Sequence, residues 1–315
     1  MKTFKNTIRR FSIIIPILVI VVSCSSGDDN NSVDPHTYTN YTGQYLGQTQ
    51  PGNSAIQFLP AIFNNTHSTP VFSPDGNLVY WTAVQNDAGV IRFMEQINGR
   101  WTTNQNVKYI SDSVNEDVPF FSADGNRLYF YAWFDRNSNR NGIYYVEKVG
   151  NNWSSPRSIG SSVNNMYMHW QFSVAANGNI YFAGSEDAEH DIWHIYKAEW
   201  QNGSYLAPVR LPQEINLINT PISYAYAQNC PLIAPDESYL IFGRYVDASL
   251  SNLFISYKDL NGRWSEAIDM GNRVNTNRDE LCPVVTRDNR YLFFTRDDTI
   301  YWISTQIIED LRPRN

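Results

Sequence analysis

The stretch PVFSPDGNLVYW at residues 70–81 recurs as PFFSADGNRLYF from Pro119, and this repetition decides the fold. A hydrophobic triplet follows the turn in each copy, and three further triplets continue the series. The five triplets are Val79-Tyr80-Trp81, Leu128-Tyr129-Phe130, Ile180-Tyr181-Phe182, Leu240-Ile241-Phe242 and Leu292-Phe293-Phe294. They start 49, 52, 60 and 52 residues apart. Such a period, with aromatic and β-branched residues around Asp-Gly turns, is typical of a radial all-β array.

Each repeat divides into four predicted strands. A Pro and two apolar residues begin the first strand, a turn rich in Asp, Asn and Gly follows, and the triplet forms the second strand. Third strands such as VIRFMEQI and GIYYVEKV lead to an Asn/Gly turn and an aromatic residue. The 18 to 26 residues that then remain before the next repeat are enough for a fourth strand. Four strands per repeat predict one propeller blade each.

The two ends of the repeat array predict ring closure. The last repeat ends after TIYWIS, before any fourth strand, whereas SAIQFLPAIFNN ahead of the first repeat resembles an unused fourth strand. We therefore expect Ile56 to Phe63 to complete the blade that begins at Pro283, which leaves no exposed sheet edge. The predicted fold is an all-β, five-bladed β-propeller over residues 43–312, with STQIIEDLRP as the one helical candidate.

Composition and charge agree with this fold and exclude some functions. Aromatic residues make up 14% of the chain, with 20 Tyr and 9 Trp, and we expect the rings of the triplets to form the core rather than to stack on a ligand. The net charge of −7 argues against nucleic-acid binding and against a broad basic contact with anionic lipid.

The N-terminus predicts export and a lipid anchor. MKTFKNTIRR carries four basic residues and no acid, and the apolar run FSIIIPILVIVV after it is too short to span a bilayer comfortably. Val21-Val22-Ser23-Cys24 resembles the lipobox of bacterial lipoproteins, so the resemblance implies a signal peptide over 1–24 and a membrane anchor through acylated Cys24. An ordinary secretory signal with a chance Cys is the alternative.

Residues 25–42 are polar and acidic and are predicted to be a flexible tether. The Ser after Cys24 resembles lipoproteins sent to the outer membrane. The short run of Ser and acidic residues also resembles the surface-export signal of Bacteroidetes-type lipoproteins. Both a periplasmic-facing and a cell-surface location in the outer membrane therefore stay open.

The repeat itself carries a family resemblance. Pro, two apolar residues, Ser, Pro or Ala, Asp and Gly, followed by a Leu-Tyr-Phe-type triplet, resemble the WD-like β-propeller repeat of the TolB C-terminal domain and of many Bacteroidetes envelope lipoproteins. The resemblance covers residue 43 to about residue 310, with its best copy at 73–76. It departs at Gln171, where Pro is replaced, and in the turns PDES and RDNR, which lack Gly. It implies a propeller and an envelope setting, not an activity.

Two cysteines besides Cys24 occupy equivalent places in adjacent repeats. Cys230 and Cys282 each directly precede the Pro of a repeat. An envelope location permits a disulfide, but only if the two Cα atoms come within about 7 Å. A disulfide and a pair of buried thiols therefore both remain open.

The usual local signatures of hydrolysis are absent from the sequence. It contains no Gly-Xaa-Ser-Xaa-Gly elbow, no phosphate loop and no His-Glu-Xaa-Xaa-His motif, and SPDGNLVYW does not match a sialidase Asp box. His190 and His194 have a metal-ligand spacing for a helix, but their segment is predicted to be a loop followed by a strand. These sequence features favour a module that binds a protein or a glycan, and we expect no cofactor. The alternative is a carbohydrate-active enzyme, lyase or glycosidase-like, with its site at the channel mouth.

The predicted site lies where the first strands of the blades begin around the central axis. Three positions ahead of each repeat lie His67, Glu116, Met168, Gln228 and Glu280, and two ahead lie Ser68, Asp117, His169, Asn229 and Leu281. We hypothesise that these residues ring one mouth of the channel and bind a ligand or a divalent metal, with the insertion 217–226 as one wall. The alternative is that they cap strand ends. The candidate ligand-binding residues are His67, Glu116, Asp117, His169, Gln228 and Glu280.

Overall fold

The computed structural model describes residues 36–314, apart from 64, 87, 136–137, 187–192, 218–227 and 248–249, and describes 169–170 by their backbone alone. The predicted signal peptide with Cys24, residues 25–35 of the predicted tether and His190 lie outside the described residues, as does the predicted insertion from residue 218 onward. In the part of the chain that is described, no helix has the length and apolar character needed to cross a bilayer.

The chain folds into the predicted five-bladed propeller of antiparallel sheets. Two strands, β1 Tyr38–Thr42 and β2 Ile56–Gln57, precede the first blade. Blade 1 contains β3 Val71–Phe72, β4 Leu78–Gln85, β5 Ala88–Ile97, β6 Arg100–Thr102 and β7 Gln105–Val107. Blade 2 contains β8 Asn115–Phe121, β9 Arg127–Trp133, β10 Gly142–Val149, β11 Asn152–Trp153 and β12 Arg157–Ser158.

The remaining blades follow the same order. Blade 3 contains β13 Tyr167–Val174, β14 Ile180–Ser185, β15 His194–Ala198 and β18 Val209–Arg210, with a short hairpin of β16 Trp200–Gln201 and β17 Ser204–Tyr205. Blade 4 contains β19 Gln228–Ile233, β20 Tyr239–Tyr245, β21 Ser251–Tyr257 and β22 Ile268–Asp269. Blade 5 contains β23 Glu280–Val285, β24 Tyr291–Arg296 and β25 Thr299–Ser304. The helical segments are a 3₁₀ turn at Gln44–Gly47, α1 Ser161–Asn164 and α2 Gln306–Asp310, the last within the predicted helical stretch.

The repeated turns directly follow the inner strands of the blades, which are β3, β8, β13, β19 and β23. These turns all lie at one end of the blades, which we call the lower face. In blade 1 the Ser73 hydroxyl donates to Asp75 Oδ1 at 2.5 Å, and that carboxylate accepts the Asn77 N–H at 3.1 Å. Blade 2 repeats both contacts through Ser122 and Asp124. The Ser and Asp of the sequence repeat are therefore turn formers. The inner strands begin at the opposite, upper face.

The inner strands of blades 2 to 5 each contain a register shift near their upper ends. In blades 2, 4 and 5 the residue directly before the repeat Pro has a positive φ, at Val118 (45°), Cys230 (49°) and Cys282 (56°). A β-bulge of this kind redirects the side chains that precede it. The predicted mouth residues consequently lie on the upper side of the bulge.

The triplets form the core, as predicted. All their residues are at most 3% exposed, and they include the largest fully buried side chains, such as Trp81 and Phe182. Rings of neighbouring strands pack directly, since Phe182 and Tyr196 stack with centroids 5.9 Å apart. Burial of such side chains contributes about 1.5–3 kcal/mol each.

Ring closure is also confirmed. Strand β2 pairs with β25, with Ile56 opposite Trp302, and so supplies the missing fourth strand of blade 5. Two residues further on, Phe58 is fully buried. Its ring packs against those of Trp302 and Phe293, with centroids 5.0 and 4.9 Å apart. The closing segment is thus held by its ladder and by an aromatic cluster.

The N-terminal boundary of the ordered propeller differs from the predicted tether. Strand β1 pairs with β6 at the outer edge of blade 1, and the Thr39 hydroxyl donates to the Trp101 carbonyl at 2.9 Å. Residues 38–42 therefore belong to the propeller rather than to the predicted tether of 25–42. Threonine and tyrosine have high β-propensity, which explains why a polar segment can add a strand to an open edge.

Candidate functional site

The upper face brings two of the predicted site residues together. His67 Nδ1 donates a hydrogen bond to Asp117 Oδ2, which joins blade 1 to blade 2. The other oxygen of Asp117 accepts the Val118 N–H at 2.7 Å. The hydrogen bond to the Asp117 carboxylate raises the pKa of His67 to about 9, against the opposing effect of burial. The imidazole is therefore protonated at neutral pH and forms an ion pair between blades 1 and 2.

Glu116 is held by the loop that connects blade 1 to blade 2. Its side-chain oxygens accept the N–H groups of Tyr109 and Ile110 at 2.8 and 2.6 Å and the Ser113 hydroxyl at 3.1 Å. The residue is 3% exposed, and burial raises the pKa of its carboxyl group. This arrangement orders the loop that leads into β8.

Glu280 has the same kind of role in blade 5. Its carboxylate accepts the N–H and the hydroxyl of Thr276, at 3.0 and 2.6 Å, and the Nε–H of Arg296 at 2.8 Å. Glu280 has no solvent exposure. The contacts of Glu116 and Glu280 thus hold the loops that lead into β8 and β23.

For the other predicted residues, the structure gives a position in a strand but fewer side-chain contacts. Gln228 is completely buried at the start of β19, with Asn229 beside it, and the side chain of His169 is outside what the structure describes. His194 begins β15, and burial lowers the pKa of its imidazole. Among the described side chains, no group of three or more His, Cys, Asp or Glu could hold a metal ion.

Cys230 and Cys282 meet beside the axis as free thiols. Their sulfur atoms lie 3.9 Å apart, well beyond the S–S bond length of about 2.05 Å. Both residues are buried, and burial raises the pKa of the Cys282 thiol. The pair therefore packs as two small apolar side chains.

A cleft that the sequence did not predict opens on the upper face between blades 2 and 3. Its volume is about 380 Å³, and we call it the aromatic cleft. It lies where β9 ends and β13 begins. Tyr167 is 49% exposed there, and its ring packs against Trp193 with centroids 5.5 Å apart. The lining residues are Tyr131, Trp133, Ser138, Asn139, Asn141, Asn164, Asn165, Met166, Tyr167 and Met168.

The amides of the aromatic cleft divide into two groups. Asn141 donates to the Asp135 carbonyl at 2.6 Å and Asn164 to the Ile143 carbonyl at 3.0 Å, so both are part of the framework. Asn139 and Asn165 are exposed, and their side chains form no hydrogen bond with the described residues. The cleft therefore presents two available amides beside its aromatic rings.

A recurring asparagine clamp shapes the upper face. Asn164 Oδ1 accepts the Ile143 N–H and its Nδ2 donates to the carbonyl of the same residue, both at 3.0 Å. Asn216 forms the same two bonds with Ile195, and Asn275 with Leu253. The sequence signal is a Val-Asn or Ile-Asn pair ahead of an inner strand, at 163–164, 215–216 and 274–275.

Comparison with known proteins gives the fold. No protein-family model and no curated protein matches the chain. Among solved structures, a protein assigned as TolB from Agrobacterium tumefaciens is 15% identical, with a TM-score of 0.49 over 73% of this chain and 69% of that one. TolB from Acinetobacter baumannii is also 15% identical, with a TM-score of 0.44 over 76% of this chain and 54% of that one.

A third similar structure is the catalytic domain of a GH62 α-L-arabinofuranosidase from Coprinopsis cinerea. It is 11% identical, with a TM-score of 0.51 over 86% of this chain and 98% of that one. At this identity the likeness shows the fold alone, since propellers carry both binding and catalytic functions.

Proposed function

We propose that this chain is a lipid-anchored protein of the cell envelope whose propeller binds a neutral glycan in the aromatic cleft. The observation that carries the proposal is the composition of the cleft: one exposed and two half-buried aromatic rings beside two available amides, with no charged residue among the described lining residues. Its volume of about 380 Å³ is within the usual range for small-molecule sites.

The chemistry of the lining fits sugar rings. The apolar C–H face of a sugar packs on an aromatic face such as that of Tyr167 or Trp133, which buries area at a low cost in side-chain entropy. An exposed amide donates and accepts hydrogen bonds, so Asn139 and Asn165 can each contact the hydroxyl groups of a sugar. An uncharged lining favours a neutral ligand over an anionic one.

The same observations favour binding over glycan hydrolysis or elimination. A glycosidase requires two carboxylates flanking the scissile bond. No carboxylate lines the aromatic cleft in the described chain, and the oxygens of Glu116 and Glu280 already accept hydrogen bonds from the loops that lead into β8 and β23. A carbohydrate-active enzyme would need catalytic groups that these residues do not offer.

Glycan binding can be tested with a matched pair of tryptophan variants. Trp133 and Trp200 are both half-buried and both line clefts, but Trp200 lies in a cleft of the lower face. We expect the full-length chain to bind at least one of cello-, xylo-, manno- and malto-hexaose in titration calorimetry. Trp133→Ala should weaken that binding by about tenfold or more, and Trp200→Ala should leave it unchanged.

Two results would overturn the assignment of the cleft. One is binding of none of these oligosaccharides at millimolar concentration. The other is a folded Trp133→Ala variant that binds as tightly as the wild-type chain.

The envelope location rests on the N-terminal sequence. A basic leader, a short apolar run and Val21-Val22-Ser23-Cys24 follow each other in the order found in lipoprotein precursors. We expect metabolic labelling with a fatty-acid analogue to label the wild-type chain and not Cys24→Ala. Labelling that persists in Cys24→Ala would contradict a lipid anchor at this residue.

A further inference from the structure

One turn of the lower face departs from the other four. The position after the first residue of each turn holds Pro74, Ala123, Ala176 and Pro235 in blades 1 to 4, but Arg287 in blade 5. Four blades form this turn with a small uncharged residue. The fold therefore does not require an arginine at this position.

Arg287 is also in an unusual electrostatic environment. Its guanidinium donates to the Phe121 carbonyl of blade 2 and lies 5.1 Å from the centroid of the Phe120 ring. Among the described residues, no carboxylate lies within ion-pair distance of it. Burial lowers the pKa of Arg287 to about 10, so the group stays charged at neutral pH. Asp124 attracts this charge from beyond ion-pair distance. A partly buried cation without an ion-pair partner is stabilised when an anion binds beside it.

A cavity of about 420 Å³ adjoins this arginine on the lower face. Phe120, Leu232 and Val285 of three inner strands give it an apolar floor. Tyr239 also lines the cavity, is 6% exposed, and has a buried hydroxyl without a hydrogen-bond partner. The cavity therefore combines an apolar floor with a cation and an unused hydroxyl donor.

The other charged residues that line the cavity are two carboxylates, Asp236 and Glu309, and one guanidinium, Arg312. Arg312 donates to both carboxylate oxygens of Glu309 at 2.9 Å. The Asp236 carboxylate accepts the Ser238 N–H at 3.0 Å. Burial raises the pKa of Asp236, but the hydrogen bonds from the side chain and backbone of Ser238 and the charge of Arg312 lower it overall. Arg287 is left as the cation of the cavity without a carboxylate partner.

We propose that this cavity binds a small carboxylic acid with an apolar body. The carboxylate would pair with Arg287 and accept a hydrogen bond from Tyr239, while the apolar part would lie on Phe120, Leu232 and Val285. One guanidinium matches the single charge of a carboxylate and its two oxygens. The site is separate from the aromatic cleft, because it lies at the opposite end of the blades.

Hexanoate and hexan-1-ol are suitable probes, because they differ only in the charged group. We expect titration calorimetry on the full-length chain to show hexanoate binding about tenfold or more tighter than hexan-1-ol. Arg287→Ala, which restores the residue of blades 2 and 3, should weaken hexanoate binding by about tenfold or more and leave hexan-1-ol unaffected. Tyr239→Phe should weaken hexanoate binding about threefold to tenfold.

Arg263→Ala is the control, since Arg263 is an exposed arginine of blade 4 that pairs with Asp259. It should bind hexanoate like the wild-type chain. The proposal is wrong if hexanoate does not bind at millimolar concentration, if hexan-1-ol binds equally well, or if Arg287→Ala binds hexanoate unchanged. None of these results would affect the glycan test, because that test measures Trp133 on the other face.

Discussion

On the lower face, the turns of different blades repeat the same side-chain hydrogen bonds, whereas on the upper face the connections differ from blade to blade. Thr286 and Asp288 of blade 5 pair at 2.6 Å just as Ser73 and Asp75 do in blade 1. On the upper face, the inner strand starts 3 residues after the clamp asparagine in blade 3, 12 after it in blade 4 and 5 after it in blade 5. The varied loops create clefts that a regular face does not have.

This difference separates structural residues from candidate functional ones. A residue that recurs with the same contacts in several blades is explained by the fold. The rings of the aromatic cleft, and Arg287 within an otherwise regular turn, are not repeated. Glu116 and Glu280 recur at equivalent positions, and their contacts show why: each holds the loop that leads into an inner strand.

The largest expected effect comes from Glu280→Gln on the upper face. Glutamine retains one acceptor oxygen where the carboxylate accepts three hydrogen bonds, and Arg296, whose side chain is 13% exposed, loses its counter-charge. Breaking such a buried pair costs about 3–5 kcal/mol. Urea unfolding should show this loss in the free energy of unfolding.

Asp124→Asn is the matched control on the lower face. Asp124 forms the turn of blade 2, and its hydrogen-bonding atoms are near the surface. Asparagine also forms such turns, so we expect a loss of about 1 kcal/mol or less. If Glu280→Gln cost no more than Asp124→Asn, Glu280 would not be structural, and the hypothesis that it contacts a ligand would regain its basis.

Most of the fold could be predicted from the sequence because it follows from patterning. The triplets are buried wherever they occur, and the unmatched segment at Ile56 supplies the missing strand of blade 5. Strand β1 was not predicted, since Tyr38–Thr42 is polar and has no hydrophobic alternation. The core is periodic in sequence, whereas an added edge strand depends on an open neighbour.

The candidate site was less predictable for a physical reason. The sequence placed His67 and Asp117 at the channel mouth but at different offsets, and only the packing of blade 1 against blade 2 shows that they pair. The aromatic cleft forms between the end of β9 and the start of β13, which belong to different blades. The asparagine clamps had a visible signal, but their variable distance from the repeat Pro concealed it.

The smallest expected effect concerns the pH dependence of the His67–Asp117 pair. Because the pKa of His67 rises from 6.5 to about 9 on folding, the folded chain holds this proton more tightly than the unfolded chain. The stabilisation is therefore fully present below pH 6.5 and is lost as the pH rises through about 9. The His67 side chain is 42% exposed and screened by solvent, so we expect a loss of about 1 kcal/mol or less.

Urea unfolding at several pH values between 6.5 and 9.5 would measure this loss. His67→Gln should remove the pH dependence in that window, because glutamine does not titrate. His36→Gln, which removes an exposed histidine near the start of β1, should retain the dependence of the wild-type chain. Equal pH profiles for the wild-type chain and His67→Gln would mean that the ion pair does not join blades 1 and 2 in solution. The two blades would then not be joined by this pair. The assignment of His67 and Asp117 as structural residues of the upper face, separate from the aromatic cleft, would be wrong.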